Sequence, residues 1–388
     1  MEKSIQSVFL AFVLLTVLLS GCAPASTPIP PAPTSPIAPT IQPTIETPIS
    51  TPTIFNETVT PSFFIQQPYP TRTKFTPAEI YKPEKLVWAI YYGWYMDMFY
   101  PRTWSSDIWT DRPLIPYESD DPDGIRQHIL WAKSAGIDGF LYEWCGDGLA
   151  GDDARTMDSV FELVLDIAYH MDFKIAVYYD QLCMNPFETK QVQSQMEYLL
   201  RYRAVHPAYY WTNGKPVVVI YYTTDLELSE WKIIFDNLET DGLQAIYIGE
   251  SYDPNELNVF NGLHQYINLP MKDLPQTYSD LSRQVQALNR QKPGREHLWI
   301  ATVSPGFDNT PLVNRSDAEE GSIPTIIDRL NGQTYSTSWD KALNSGADWI
   351  IITSWNEWQE NTHIEPSQIY GDTYLRITKQ YTMQWKRP

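Results

Sequence analysis

"DDPDGIRQHILWAKSAGIDGFLYEW", residues 120–144, holds one complete helix-to-strand unit, and its pattern recurs along the chain. Acidic residues open it, where they favour a helix N-terminus, and Gly136 stands near the helix end. The run 137–144 is apolar, finishes in Glu143 and Trp144, and reads as a strand. Upstream, "LVWAIYY" (86–92) is strand-like. Downstream, helix patterns at 154–171, 188–205, 229–238, 279–290, 335–345 and 372–385 alternate with apolar runs. Those runs are 173–180, 215–222, 243–251, a weaker 262–269, 298–308 and 348–355. Near-continuous apolar strands separated by helices suit a parallel sheet covered on both faces. About eight such units predict an α/β fold, a single (β/α)8 TIM barrel over residues 83–388. An open doubly wound sheet is the runner-up, but no Gly-rich phosphate fingerprint follows the first strand.

The N-terminus carries a different signal. "MEKSIQSVFLAFVLLTVLLSGC" has a short polar start with Lys3, an apolar run and then Leu19-Ser20-Gly21-Cys22. The run is too short for an ordinary membrane span and reads as a secretory signal over residues 1–22. Its ending resembles a bacterial lipobox, with Cys22 as the lipidated residue. Residues 23–82 are mostly Pro, Thr, Ser and Ile, which predicts an extended linker without secondary structure. The expected location is extracytoplasmic, as a membrane-anchored bacterial lipoprotein held by acyl chains at Cys22.

The chain of 388 residues carries 28 Lys plus Arg against 47 Asp plus Glu, a formal charge of -19. That balance argues against a nucleic-acid partner, which selects a basic face. The six His are scattered without zinc spacing, and the acidic stretches 118–124 and 146–153 lack EF-hand spacing, so neither a metal nor a cofactor is expected. Cys145 and Cys183 follow neighbouring strands and can either pair in an oxidising compartment or stand as separate thiols. Asn56 and Asn314 head N-x-[ST] sequons.

Barrel chemistry sits at the C-terminal ends of strands. There the sequence places Tyr92, Trp94 and Tyr95; Glu143 and Trp144; Asp180; Tyr222; Glu250; and Asp308. The last strand ends in "TSWNEWQENTHIEPS", with Trp355, Asn356, Glu357, Trp358, Glu360 and His363. Rings that stack on sugar faces and acids that bond hydroxyls predict a polysaccharide or oligosaccharide substrate. Each strand-end acid taken alone also fits a helix cap. Glu357 and Glu360 are the catalytic candidates. If the chain turns after Glu357, residues three apart share one side. If the strand runs on, they point apart. Two carboxyls in one pocket repel, so one keeps its proton near neutral pH.

"SWNEWQENTHIEP" resembles the "NEWHEGTQIEP" motif of the glycoside hydrolase family 99 endo-α-mannosidases and their family-99-like relatives, including the WbsX type. "YYGWY" (91–95), "DPDGIRQHILWAKSAGIDGF", "HPAYYWTNGKPVVVIYY" (206–222), "FNGLHQY" (260–266) and "SPGFDNT" (304–310) agree in order. The resemblance implies a (β/α)8 barrel that cleaves α-linked mannose or glucose-capped mannose chains with retention. It implies Glu360 as general acid/base and Glu357 as the base that deprotonates the sugar 2-hydroxyl, giving a 1,2-anhydro intermediate. It implies no metal and no covalent enzyme intermediate. Gln359 stands where the family has His, and Asn361-Thr362-His363 replaces Gly-Thr-Gln, which leaves the sugar open. The alternative is a non-catalytic glycan-binding surface lipoprotein. A glycosyltransferase needs a nucleotide-sugar site, and the sequence shows none.

Overall fold

A computed structural model describes residues 83–96, 103–105, 108–148, 152–180, 188–267, 274–291, 297–315 and 323–387. The expected signal, Cys22, the linker, Asn56 and Cys183 lie outside the described residues. Eight parallel strands close on themselves: β1 Leu86–Tyr91, β2 Gly139–Trp144, β3 Lys174–Asp180, β4 Lys215–Tyr221, β5 Ile246–Glu250, β6 Gly262–His264, β7 Leu298–Val303 and β8 Trp349–Ile352. The ring closes where β8 pairs with β1, Trp349 opposite Leu86 and Ile352 opposite Ala89. Among the described residues, seven α-helices of ten or more residues cover it: α1 Pro122–Ser134, α2 Asp152–His170, α3 Thr189–Tyr198, α4 Leu228–Thr240, α5 Leu274–Gln291, α6 Gln333–Asn344 and α7 Thr373–Trp385. Between β5 and β6 a 3₁₀ segment, Pro254–Asn258, takes the place of a helix. The expected barrel is present, with every predicted strand in order.

Local chemistry accounts for the elements. In α1, Asp121 accepts from the Asp123 N–H, Pro122 fills the first turn, and Gly136 follows with φ +79°. Its apolar stripe of Ile125, Ile129 and Ala132 packs on the barrel and carries His128 inward with it. The strands are buried on both sides, as a sheet covered by helices requires. Several boundaries differ from expectation: β6 stops at His264 rather than running to 269, α5 begins at Leu274, and three others have a visible local cause. α3 stops at Tyr198 and widens into a π turn, Leu199–Arg203. β7 ends at Val303; Phe307–Asp308 instead pairs antiparallel with Ile326–Ile327. β8 ends at Ile352, after which the Ser354 N–H turns to the Thr362 carbonyl at 2.8 Å.

The entry end of the barrel is sealed by a repeated device. The residue before β2, β6 and β8 is Asp138, Asn261 and Asp348. Each side chain accepts a strand N–H from the neighbouring strand: Val87 at 2.7 Å, Tyr247 at 3.0 Å and Trp299 at 2.8 Å. Lys386, just past α7, bonds Asp138 at 2.6 Å and the Gly136 carbonyl at 2.7 Å, and Lys85 bonds the Trp385 carbonyl at 2.9 Å. Above this floor Trp88 fills the interior against Tyr210 and Trp349. A Cβ on Gly139 would lie 2.4 Å from the Trp88 ring and 2.5 Å from the Lys174 carbonyl. Gly139→Ala should therefore cost about 1–3 kcal/mol of stability by overpacking. Chemical denaturation reads this; an unchanged midpoint would mean the ring and the β3 backbone can both yield.

Candidate active site

Alternation along each strand decides which side chains enter the barrel. On β2, Glu143 points inward while Trp144 points into the helix layer. The Trp144 indole donates to Asp158 of α2 at 3.0 Å and stacks on Tyr198 of α3. Trp144 therefore supports the wall from outside, against expectation. On β3, Tyr178 and Asp180 point inward. On β4 the inward residue is Tyr221, whose ring lies 5.7 Å from Tyr178 and 5.3 Å from Tyr266. Tyr222, the expected residue, sits in the left-handed region at φ +54° and half-buried at the rim. Glu250 ends β5 and Tyr266 follows β6.

These groups converge. Tyr92 feels the charges of Glu143, Glu357 and Glu360, and Tyr178 those of Asp180, Glu250 and Glu360. Glu143 and Asp180 share a hydrogen bond; burial, then the charges of Asp180 and Glu357, push the Glu143 carboxyl well above the usual carboxylate range. Glu250 accepts N–H bonds from Tyr222 at 2.9 Å and Tyr266 at 3.1 Å, tying the ends of β4 and β6. Burial pushes its carboxyl up to about 7 against those two donors.

After β8 the chain does turn. Glu357 Oε1 accepts the Gln359 N–H at 3.0 Å, and the Glu357 carbonyl accepts the Thr362 N–H at 3.2 Å. Both carboxyls are enclosed, Glu357 at 3% and Glu360 at 5% exposure. Glu360 Oε2 accepts the Tyr266 hydroxyl at 2.6 Å, and Tyr266 accepts the Tyr92 hydroxyl at 3.0 Å. Burial pushes Glu360 up to about 7, opposed by Tyr266. Burial and then the Glu360 charge drive Glu357 well up, opposed by two backbone N–H donors from Gln359 and Glu360. Burial and mutual repulsion thus oppose the ionisation of both carboxyls at once, a condition that suits an acid/base pair.

The other expected residues divide sharply. Asn356 clamps Tyr92, accepting its N–H at 2.8 Å and donating to its carbonyl at 2.9 Å. The Tyr95 hydroxyl accepts the Trp358 N–H at 3.0 Å. Trp94, partly exposed, packs 4.6 Å from Tyr92 and is the indole beside the pocket. Trp355 is enclosed against Phe140 and His128, and Trp358 against Trp104 and His363. Asp308 accepts the Thr310 N–H at 2.9 Å ahead of the short turn Thr310–Val313, whose cap position is Asn309. His363 is wholly buried between Asp111 and Arg329, and burial lowers it to about 4, which keeps it neutral. Sequence reasoning missed Tyr266, although it stands at a strand end inside "FNGLHQY". Arg329, which donates to the Asn361 and His363 carbonyls, carried no sequence signal. Cys145 is disulfide-bonded; its expected partner lies outside the described residues.

Inward acids and tyrosines at the C-terminal mouth of a (β/α)8 barrel, with a coupled carboxyl pair, are the arrangement of a glycosidase. A family model described as Glycosyl hydrolase family 99 matches residues 105–379, and the chain belongs to that family. It is 25% identical over 300 residues to a glycoprotein endo-alpha-1,2-mannosidase-like protein of Mus musculus, covering 69% of this chain and 63% of the relative. It is 25% identical over 270 residues to a glycoprotein endo-alpha-1,2-mannosidase of Xenopus laevis, covering 65% and 57%. The chain thus spans less than two thirds of the length of these relatives. A solved GH99 endo-alpha-mannosidase from Bacteroides thetaiotaomicron superposes with TM-score 0.63 at 24% identity, covering 77% of this chain and 97% of that one.

A carboxyl raised in the fold binds more protons folded than unfolded, so stability falls as pH rises from 4.5 to about 7 for Glu360. Glu360→Gln removes this penalty. The variant should be more stable than wild type above neutral pH, by on the order of 3 kcal/mol at most, with the gain vanishing below the unfolded value. Calorimetry at pH 8 and pH 4 checks it; an equal gain at both would deny burial as the cause.

Proposed function

We propose that the protein is an extracytoplasmic glycoside hydrolase that cleaves α-linked mannose- or glucose-type glycans with retention. The observation that carries this reading is the enclosed Glu357/Glu360 pair, with Tyr266 donating to Glu360 and backbone N–H groups to Glu357. Glu360 gives its proton to the glycosidic oxygen as the bond to C1 breaks. Glu357 takes the proton of the sugar 2-hydroxyl, and that oxygen closes on C1 to form a 1,2-anhydro sugar. Water, deprotonated by Glu360, then opens it at C1, while Glu357 returns its proton to O2. Two inversions at C1 give net retention. Glu357 must begin ionised against its burial; a proton on Glu360, which removes the nearest like charge, and the N–H donors of Gln359 and Glu360 act in that direction. Glu143, Asp180 and Glu250 are the groups proposed to meet sugar hydroxyls, with Trp94 as the stacking ring.

Lipidation at Cys22, the signal over 1–22 and the linker over 23–82 belong to the same proposal. A disulfide at Cys145 supports it, since such bonds persist in oxidising compartments. Metabolic labelling with an alkyne fatty acid should mark the wild type and not Cys22→Ser.

A product assay on α-mannans, α-glucans and glucosylated mannose oligosaccharides tests the activity. Glu357→Gln and Glu360→Gln should each lower kcat/KM by about 10²–10⁴-fold. With a glycosyl fluoride, whose leaving group needs no acid, Glu360→Gln should recover much of the first step and Glu357→Gln should not. Cleavage that survives in both variants would remove these residues from the mechanism. Binding without cleavage in the wild type would favour glycan capture.

A further inference from the structure

Behind the acid pair lies a hydrogen-bonded chain that begins at a buried carboxylate the mechanism does not use. Glu365 is 2% exposed, its Oε1 lies 3.1 Å from His128 Nε2, and its Oε2 accepts the Tyr117 hydroxyl at 3.0 Å. His128 comes from the inward face of α1, and its Nδ1 lies 3.2 Å from the Tyr91 hydroxyl. Tyr117 in turn accepts from Asn356 Nδ2 at 3.1 Å. Asn356 then holds Tyr92 by N–H and carbonyl, and the Tyr92 hydroxyl donates to Tyr266, which donates to Glu360.

The sense of this chain is set at its far end. Tyr117 has a single hydroxyl hydrogen and donates it to Glu365 Oε2. Its oxygen is left as an acceptor, and Asn356 must present its NH₂ there. The amide oxygen is then committed to the Tyr92 N–H, and the second N–H to the Tyr92 carbonyl. With Tyr92 fixed, its phenol donates to Tyr266, and the single hydrogen of Tyr266 goes to Glu360. Asn356 also immediately precedes Glu357, so one chain reaches both acids.

We infer that Glu365 is a positioning residue for the Glu357/Glu360 pair, acting through Tyr117, Asn356, Tyr92 and Tyr266 without touching substrate. This rests on the proposed hydrolase reading for its kinetic effect, though not for its effect on Glu360 itself. The groups that face Glu360 are Glu357, Tyr92, Tyr178, Tyr221 and Tyr266. Glu365 reaches it only through the chain.

The test compares Glu365→Met, Glu365→Gln and Tyr117→Phe in the full chain. Methionine fills the space without an acceptor, and kcat should fall by about 10²-fold, the scale of a misplaced catalytic group. KM should stay within about threefold, since no substrate contact is lost. Glutamine can still accept from Tyr117 and should recover most of the loss. Tyr117→Phe removes one oxygen, keeps the packing, and should match the Met variant. Combining the two should cost no more than either alone. The same link is read without substrate by ¹³C NMR of protein labelled at glutamate Cδ, with the Glu360 signal assigned by its absence in Glu360→Gln. Because Tyr266 holds Glu360 down, Glu365→Met and Tyr117→Phe should move its titration upward. That movement in an enzyme with no hydrolytic activity would sink the hydrolase reading and keep the positioning chain. A Glu360 titration unmoved by both variants, or glutamine as damaging as methionine, would overturn the inference.

Discussion

The turn that carries Glu357 and Glu360 leaves the β8 ladder at Ile352, and from there side chains must do what a sheet does elsewhere. A strand is positioned by its neighbours, residue by residue; a turn carrying two buried acids has no such frame. Here the frame is assembled from polar contacts on several sides. Asn356 sews the turn to the end of β1, Thr353 bonds the Tyr266 carbonyl at 2.8 Å, and Arg329 holds the Asn361 and His363 carbonyls. Arg329 is itself fixed between the rings of Tyr370 and Tyr374, so a cation is kept buried by aromatic faces and carbonyl oxygens. An acid held this way can be enclosed without being pushed away from its like-charged neighbour.

Enclosure also explains the electrostatic character of the mouth. Glu143, Asp180, Glu250, Glu357 and Glu360 cannot all ionise in so little space and so little water. The tyrosines answer this in part. Tyr92, Tyr178, Tyr221 and Tyr266 all stay neutral, because burial and the surrounding carboxylates oppose their ionisation. They supply hydrogen-bond donors without adding charge. Such a site is destabilising for the fold and is retained where its chemistry is needed.

Period and burial made the barrel readable from the chain. Continuous apolar runs separated by amphipathic helices leave few architectures, and the strand ends followed from them. The acid pair could be named from the chain, but the sequence leaves open whether Glu357 and Glu360 share one side, because the two possible paths after Glu357 predict opposite geometries. What could not be read was the direction of single residues at the rim. Trp144 and Tyr222 differ from Glu143 and Tyr221 by one position, and one position reverses the face. The enclosed indoles Trp355 and Trp358 look identical in sequence to ligand-stacking rings; only packing distinguishes them. Long-range partners such as Asp111 with His363, or Glu365 with His128, depend on the closed barrel and leave no local signal.

At the opposite end, the ties from Lys386 to Asp138 and from Lys85 to Trp385 fasten the first strand to the last helix. They form a mechanical anchorage. Tension on the chain ahead of Leu86 would run into the floor, across Asp138 and the end of α7, and be borne there. The mouth, a full strand length away, stands outside that load path, so a pull at the start of the barrel would not open the pocket where the acids sit.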